Sequence, residues 1–420
     1  MRQSPRVGLL ANESVLRHLR PGDTIVAGQV LGEPTALLDA LFSSPELPDV
    51  RLFVGMSLTD VHRRAPGHVQ LVSSVGMAPN GQLASDGRMD LIPCHMSDLP
   101  WLVTDGPCRA DVAAILVSPP NERNECSLGV VSDYIWPALR AARSVIAEIN
   151  PNVPFVHGDT IVALDRIDAA VHSDRPLPEY ARAAPSDLEL AIGRHVASFI
   201  SDGSCLQLGI GRIGEAVLRS IGSARHLGIH AGMVGDTLLE FARDGIVDNS
   251  RKAIDTGLTV AGSILGSANA LALAAADRNL RLRAIDHTHA PGEIARLDRF
   301  VCVNSALEVD VLGQVNAEVA GGRYVGAVGG AVDFLRNSVR AAGGHSIVAL
   351  PSTTAKGRPR VVATVEHATA TRSDVDVVVT EHGIAELRGQ STGERASRLI
   401  AVAAPEHRDE LATAASLLGV

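Results

Sequence analysis

The sequence predicts an α/β protein in which mainly parallel sheets are covered by helices, and it predicts two such domains. Short β-branched runs recur along the chain, and each leads through a loop of small residues into a segment with helical periodicity. Hydrophobic residues make up 46% of the chain and charged residues 20%, which suits a fold with much buried β-structure. The length of 420 residues exceeds that of an ordinary single domain about two- to threefold.

Four apolar runs are the clearest candidate strands: Asp23 to Ala27, Asp111 to Val117, Ser346 to Leu350 and Asp374 to Thr380. Each run ends in a polar or glycine-containing loop. Because α/β proteins bind ligands at the carboxyl ends of their strands, these loops are candidate ligand sites.

Two segments read as versions of one strand–loop–helix unit. Gly22 to Gly28 leads into the helical segment TALLDALF, and Gly203 to Gly209 leads into AVLRSI. Two related halves would explain this likeness, although any two strand–helix units look alike to some degree. The stretch Ser173 to Ser186 is proline-rich and charged, so we interpret it as the linker between domains at 1–180 and 181–420.

Composition argues against several classes of function. Aromatic residues make up 3% of the chain and the net charge is −9, which gives neither stacking platforms nor a basic surface for nucleic acid. The five cysteines are scattered, as expected of reduced thiols in a cytosol. The apolar run near the N-terminus is too short for a signal peptide. We therefore expect a cytoplasmic protein.

Residues Thr256 to Ala276 form an uncharged stretch long enough to span a bilayer. It contains glycine, serine, threonine and asparagine, so it is only weakly apolar. A buried strand followed by an alanine-rich helix explains it at least as well, and we expect no membrane partner.

Two glycine-rich loops are candidate binding elements. Leu208 to Gly214 lies between a strand and a helix, where backbone N–H groups can hold a phosphate or thioester oxygen; a plain tight turn is the alternative. Val325 to Phe334 contains three glycines that allow close approach of a ligand; a β-bulge or hairpin is the alternative.

The segment Asn304 to Asn316 contains two carboxylates and three amides between apolar runs. Because buried polar groups need hydrogen-bond partners, the segment is either an active-site wall or a structural network, and we favour a supporting wall. His287 and His289 form an HxH pair, which without a further ligand is typical of solvent-exposed histidines rather than of a metal site. We expect no metal. The chain has no GxSxG nucleophile elbow and no local signature of a nucleophilic cysteine.

Read in order, several segments resemble the acetyl-CoA hydrolase/transferase family, which includes 4-hydroxybutyrate, butyrate and succinyl-CoA:acetate CoA-transferases. The matching segments are GDTIVAGQVLGEPTALLDAL, SPPNERNECSLGVVSDY, INPNVPFVHGD, LQLGIG, NSALEVDVLGQVNAE, GAVGGAVDF and VVVTEHGIAELRGQSTGERA, and they cover nearly the whole chain. The resemblance implies two CoA-transferase-type α/β domains with the active site in the cleft between them, coenzyme A bound as acyl-CoA, and a homodimer.

The resemblance breaks at the nucleophile. In the family, a glutamate attacks the acyl-CoA and forms a mixed anhydride and then a glutamyl-CoA thioester. The corresponding position here is Gly232, within Leu227 to Asp236, and no glutamate occurs between Glu215 and Glu240. Efficient transfer through a glutamyl intermediate is therefore not expected.

His230 and Asp236 are the nearest candidates for a positioned general base. Such a base would support hydrolysis or direct acyl transfer to a bound acceptor. A hydrogen-bonded structural histidine and a helix-capping aspartate are the alternatives. The resemblance further implies contacts to coenzyme A from Gly209, Ile210, Gly211, Arg212, Ile213, Gly326, Gly330 and Lys356. For Lys356, pairing with a CoA phosphate competes with a merely solubilising role.

Two smaller departures concern Gly214, where the family often has proline, and Asn121 to Glu125, which replaces a more usual aspartate, glutamate, histidine, glycine run. They suggest a diverged acyl pocket. Two further hypotheses stay open: a CoA-transferase that uses another carboxylate such as Glu308, and a non-catalytic acyl-CoA-binding subunit.

Overall fold

The computed structural model describes residues 12–180 and 184–420. They form two units. The first unit contains the chain up to Tyr180 together with Ala261–Thr288, and the second contains the chain from 184 to Val260 together with His289–Val420.

The strands up to Tyr180 are β1 (Thr24–Ala27), β2 (Arg51–Val54), β3 (Gln70–Ser73), β4 (Met89–Leu91), β5 (Val112–Val117), β6 (Glu125–Ser127), β7 (Ser144–Ile149), β8 (Ile161–Ala163) and β9 (Ala169–His172). The helices are α1 (Asn12–Leu16), α2 (Thr35–Phe42), α3 (Ala78–Ser85), α4 (Leu99–Thr104) and α5 (Ile135–Ala141). Short 3-10 helices lie at Val30–Gly32, Val61–Arg64, Met96–Asp98 and Leu164–Arg166.

Seven of these strands form one sheet in the order β4-β3-β2-β1-β5-β7-β9, and neighbouring strands pair in parallel. Every residue of β1, β5 and β7 is buried. A parallel sheet covered on both faces needs such continuous apolar strands, which is why the β-branched runs at Asp23 to Ala27 and Asp111 to Val117 predicted β1 and β5.

From residue 184 on, the strands are β10 (Cys205–Leu208), β11 (Gly228–Val234), β12 (Thr259–Ile264), β13 (Leu280–Leu282), β14 (Phe300–Ser305), β15 (Glu308–Asp310), β16 (Val315–Asn316), β17 (Val319–Ala320), β18 (Arg323–Tyr324), β19 (His345–Ala349), β20 (Val361–Val362), β21 (Val377–Thr380) and β22 (Gly383–Glu386). The helices are α6 (Asp187–Ala197), α7 (Arg212–Ser220), α8 (Asp236–Arg243), α9 (Ala268–Ala276), α10 (Ile285–Thr288), α11 (Pro291–Ile294), α12 (Ala331–Ser338), α13 (Thr392–Ala401) and α14 (Arg408–Leu417), with a 3-10 helix at Pro405–His407.

The main sheet of the second unit contains β11-β10-β14-β19-β21-β22 in that order. Its strands pair in parallel except for the antiparallel edge pair β21 and β22. Strands β19 and β21 confirm the runs predicted at Ser346 to Leu350 and Asp374 to Thr380. The predicted fold class, α/β with parallel-rich sheets flanked by helices, is confirmed.

The division between the units differs in part from the one drawn on the sequence. The break near Tyr180 falls in the predicted linker, of which residues 181–183 lie outside the described residues. Residues 261–288, however, were assigned to the second domain and belong to the first unit. Isolated β-bridges explain this grouping, since they pair Val131 with Ser263, Gly158 with Leu282 and Asp133 with Ala284. Such long-range pairing has no signature in local sequence.

The uncharged stretch Thr256 to Ala276 contains β12 and α9, as the strand-and-helix interpretation predicted. Among the described helices, none combines the length and the apolar character needed to cross a membrane.

Candidate active site

The loop after β10 confirms the predicted strand–loop–helix arrangement. Gly209 follows the strand directly, and its N–H donates to the carbonyl of Val303 on β14 at 2.8 Å. Gly211 precedes α7 with φ 120° and ψ −174°, a conformation that only glycine adopts readily. Gly214 lies in the first turn of α7, where an added Cβ would stand 2.5 Å from the Gly209 carbonyl oxygen. A proline Cβ at position 214 would meet the same carbonyl oxygen in this loop.

Gly232 lies on β11, the strand next to the one that leads into this loop. Cys205 pairs with Gly228 and Leu206 with Ile229, and the ladder between β10 and β11 ends there, three residues before Gly209 and Gly232. On the other side, Leu208 pairs with Val303, so Gly209 lies beside Asn304. All three residues lie toward the carboxyl end of the parallel strands, where α/β proteins bind ligands.

Gly232 has an ordinary strand backbone, so its conformation does not require glycine. The surrounding space is more restrictive. An added Cβ would lie 3.1 Å from both Cε1 and Nε2 of His289 and 3.8 Å from Cε2 of Phe334. A contact of 3.1 Å is shorter than most real Cβ contacts, so an imidazole edge takes up the space in which a side chain at position 232 would begin.

His289 belongs to a buried aromatic cluster, which we define as His230, Phe300, Phe334 and His289. The ring centroids of His289 and Phe334 are 4.6 Å apart, those of Phe334 and Phe300 6.2 Å, and those of Phe300 and His230 6.3 Å. All four side chains are buried. Tilted and edge-to-face rings at these separations attract one another and restrict ring motion.

Burial determines the protonation state of His289. The side chain is only 3% exposed, and desolvation lowers its pKa to about 3 from the ordinary 6.5. The imidazole is therefore neutral at physiological pH. The expectation of a solvent-exposed HxH pair was wrong for His289, because the chain turns inward just before α11 and inserts the ring beside Phe334.

His230 lies two residues before Gly232 on β11, so the two residues share one face of the sheet. Its side chain is 0% exposed and meets Phe300 edge-on. His230 therefore lies deeper in the unit than Gly232, away from the carboxyl end of the strand.

Asp236 is the first residue of α8, and it is 8% exposed. An acidic side chain in the first helical turn interacts favourably with the helix dipole. The next residue, Thr237, donates its hydroxyl to Oε2 of Glu215 on α7 at 2.6 Å. Glu215 also pairs with Arg219 at 2.9 Å. These bonds hold the beginnings of α7 and α8 together.

The second glycine-rich loop connects β18 to α12. The N–H groups of Val325 and Gly326 both donate to the Glu318 carbonyl, at 2.8 and 3.0 Å. A Cβ at Gly326 would overlap the carbonyl oxygen of Ala317. Gly330 immediately precedes α12, the helix that carries Phe334 to the aromatic cluster. The loop thus orients a helix that lies against Gly232.

The polar segment Asn304 to Asn316 is a hydrogen-bonded network. Asp310 accepts bonds from the Leu312 and Gln314 N–H groups at 3.0 and 2.9 Å and closes the turn between β15 and β16. Asn316 donates to Oε2 of Glu308 at 3.1 Å. Within this segment, Asn304 lies beside Gly209. It exchanges amide hydrogen bonds with Gln207 at 3.0 and 3.3 Å. Most of the segment therefore supports the loops.

The remaining predicted contacts lie nearer the surface. Arg212 is 57% exposed along its side chain and forms an ion pair with Glu189 of α6 at 3.0 Å. Ile210 is half-buried and Ile213 is buried. Lys356 is exposed within the turn from Thr354 to Gly357 that follows β19.

The divergent run Asn121 to Glu125 belongs to the first unit. Oδ1 of Asn121 accepts from the N–H groups of Arg123 and Glu125, at 2.8 and 3.0 Å, and Nδ2 of Asn121 donates to Glu125. Asn124 has φ 56°, a left-handed conformation that asparagine tolerates better than most residues. The run closes on itself as a turn before β6.

Two α/β units with parallel sheets, and glycine-rich loops at the carboxyl ends of the strands, define a CoA-transferase-type fold. A solved structure of 4-hydroxybutyrate CoA-transferase from Porphyromonas gingivalis matches 96% of this chain and 95% of its own with a TM-score of 0.80 and 34% identity. RipA from Yersinia pestis matches 97% of this chain and 96% of its own with a TM-score of 0.90 and 28% identity.

The acetyl-CoA hydrolase/transferase N-terminal domain matches residues 7–178, and the C-terminal domain of the same family matches residues 266–415. The 4-hydroxybutyrate coenzyme A transferase of Clostridium kluyveri is 33% identical over 96% of both chains. The protein belongs to the acetyl-CoA hydrolase/transferase family, whose members act on CoA thioesters. The resemblance seen in the sequence is confirmed.

The sequence analysis named His289 only as part of an HxH pair and did not predict its contact with Phe334, or that of Phe334 with Phe300. No local sequence feature shows that these rings would meet β11.

Proposed function

We propose that this protein acts on an acyl-CoA without a glutamyl-CoA intermediate, either by hydrolysis or by direct acyl transfer to a bound acceptor. The observation that carries the proposal is Gly232. It lies toward the carboxyl end of β11, has no side chain, and faces an imidazole edge rather than open space. A carboxylate nucleophile cannot be supplied from this position.

The proposed reaction is a direct acyl substitution. The oxygen of water or of an acceptor attacks the thioester carbonyl carbon, the C–S bond breaks, and the proton lost by the oxygen ends on the CoA sulfur. The products of hydrolysis are a carboxylic acid and free coenzyme A. Holding both reactants in one geometry supplies much of the rate enhancement when covalent catalysis is absent.

Coenzyme A is proposed to bind along the carboxyl ends of β10 and β14. The N-terminus of α7 and the loop Ile210 to Ile213 offer N–H groups to a phosphate or thioester oxygen, and Gly209, whose N–H donates to Val303, begins this loop. Gly326 and Gly330 permit close approach near α12. Exposed Lys356 is suited to a phosphate as a mobile positive charge.

Asp236 remains a proposed general base, because it begins α8 two residues after β11 ends. His230 is proposed to act indirectly, through the residues that contact it, because its side chain is fully buried. We also propose that the protein is a cytoplasmic homodimer, as the family resemblance suggests.

Release of free thiol from acetyl-, isobutyryl- and benzoyl-CoA, with and without acetate, tests the proposal. We expect release that does not need acetate and that falls in Asp236→Ala by about 10²- to 10⁴-fold, the usual contribution of a general base. Asp409→Ala is the matched control, since Asp409 is an exposed acid in the first turn of α14. His226→Ala, an exposed histidine before β11, is the control for His230→Ala.

Two outcomes would contradict the proposal. Exchange of CoA with acetate through an enzyme-bound thioester, trapped by mass spectrometry and lost in Glu308→Gln, would indicate a CoA-transferase with another carboxylate. Saturable CoA binding without release from any substrate would indicate a non-catalytic subunit.

A further inference from the structure

We infer that His289 is the group that contacts the reacting thioester in place of the missing glutamate, and that it acts as a hydrogen-bond donor rather than as a nucleophile or base. The chemical part of this inference, the hydrogen bond to the thioester, rests on the proposed function. The steric part, the contact between His289 and position 232, does not. Each part is tested by its own measurement.

The steric part follows from position. Both Cε1 and Nε2 of His289 lie 3.1 Å from the point at which a Cβ on Gly232 would stand. At that distance the ring has to give by a few tenths of an ångström before a methyl group fits, and a glutamate side chain has to leave Cβ in a rotamer that avoids the ring. Loss of the side chain at 232 and presence of the ring at 289 are therefore two sides of one packing arrangement.

The ring is held in this orientation. Phe334 packs against it with a 4.6 Å centroid separation and a 49° interplanar angle. Phe334 in turn contacts Phe300 on β14, the strand next to β10. Because Phe300 and Phe334 are both buried, His289 cannot rotate away without opening the aromatic cluster.

The chemical part follows from the uncharged state of the ring. A base must take up a proton during the reaction, and burial with a pKa of about 3 makes that costly for His289. A neutral imidazole can still donate a hydrogen bond to a carbonyl oxygen, in the tautomer that carries the proton on Nε2. Such a donor stabilises the negative charge that develops on the thioester oxygen, without receiving the proton itself.

The carboxyl end of the sheet beside Gly232 fits this role. Gly209 directly follows β10, the strand that pairs with β11, and α7 begins three residues later. A thioester carbonyl bound at this end of the sheet would lie between the His289 edge and the α7 loop. We propose that these two sources of N–H groups bind the oxygen together.

The kinetic test uses His289→Gln, which keeps a side-chain N–H donor, and His289→Phe, which keeps a ring without one. We expect His289→Phe to lower kcat for thiol release by about 10²- to 10³-fold, the usual effect of removing one oxyanion donor. KM and the affinity for free coenzyme A should change less than about threefold, and His289→Gln should recover part of kcat. Unchanged kcat in His289→Phe would overturn the inference. It would also be overturned if the wild-type rate fell below about pH 6.5 and this fall were absent only in His289→Gln.

The steric test is a thermal-unfolding cycle that needs no activity. We expect Gly232→Ala to lower Tm by several degrees in the wild-type protein and by little in a His289→Ala background, because the removed ring frees the space. Additive effects would overturn the steric part. If the wild type shows neither hydrolysis nor acyl transfer while the cycle shows coupling, the proposed function fails and the steric part stands.

A third variant set connects the two parts. Gly232→Glu alone should form no glutamyl-CoA adduct with acetyl-CoA, because His289 blocks the side chain. Gly232→Glu combined with His289→Ala should form an adduct detectable by mass spectrometry. An adduct of equal yield in the single variant would show that His289 does not occupy the nucleophile's place.

Discussion

His289 Nε2 lies 3.1 Å from the position at which Gly232 would carry a Cβ. Position 289 is 57 residues away in the chain, and the pair meets because His289 packs on Phe334 of α12, which also approaches Gly232. Gly232 is therefore beside a neutral ring. Several measurable consequences depend on such buried groups.

His289 should make stability depend on acid pH. Its folded pKa of about 3 lies below the unfolded value near 6.5, so between these values the unfolded chain binds more protons than the folded one. Stability should therefore fall as pH is lowered from about 6.5 toward about 3, because protons bind preferentially to the unfolded chain. Urea midpoints at pH 4, 5, 6 and 7 should show a smaller decline in His289→Gln than in the wild type. His68→Gln, at an exposed histidine, should leave the decline unchanged.

Asp133 should act in the opposite direction. Desolvation raises the pKa of its buried carboxyl to about 6, although Gln29 donates to it at 2.5 Å. Between about pH 4 and pH 6 the folded chain holds a proton that the unfolded chain has lost, so this residue lowers stability as pH rises through that window. In Asp133→Asn this loss should be absent when urea midpoints are compared across the same range. The exposed control Asp98→Asn should behave as the wild type does.

Tyr134 should contribute to stability through its hydroxyl. The hydroxyl donates to the Ala27 carbonyl at 2.7 Å and accepts from the Gly55 N–H at 2.8 Å, and the side chain is fully buried. Tyr134→Phe leaves both groups unsatisfied, so it should reduce the free energy of unfolding by about 1 to 3 kcal/mol. Tyr324→Phe, at an exposed tyrosine, should change it by less than about 0.5 kcal/mol. Equal effects in chemical denaturation would contradict this account.

Gly214 should be needed for coenzyme binding. A methyl group there would stand 2.5 Å from the Gly209 oxygen, so Gly214→Ala should displace the loop and weaken binding of free coenzyme A about tenfold or more, or about 1.4 kcal/mol. Gly393→Ala is the matched control, since Gly393 also lies in the first turn of a helix but has open space around it. Isothermal titration should show unchanged affinity for that control. Normal affinity in Gly214→Ala would mean that the loop does not contact the coenzyme.

Strands β1, β5, β19 and β21 were predictable because their physics is local. Residues 112–117 and 377–380 are apolar or β-branched, and burial on both faces demands that composition. Residues 261–288 group with the first unit, unlike the division drawn on the sequence, because the bridges of Ser263, Leu282 and Ala284 pair them with residues more than 100 positions away.

At the candidate site, the sequence shows glycine at position 232, and the prediction that a glutamate nucleophile is missing depends on the family resemblance. Gly232 lies between His230 and Met233, the two residues that fixed the comparison. The environment of Gly232 was not evident. His289 follows a polar run that reads as surface, and only the packing of Phe334 shows that it is buried.

By itself, the sequence determined the parallel α/β architecture, the family and the absence of a side chain at position 232, since each depends on local composition or on the order of short motifs. The tertiary structure decided which group fills the space beside Gly232 and that this group is uncharged. Both properties arise from contacts between α11, α12 and β11, and the free energy of ionising an imidazole depends on the burial that those contacts create.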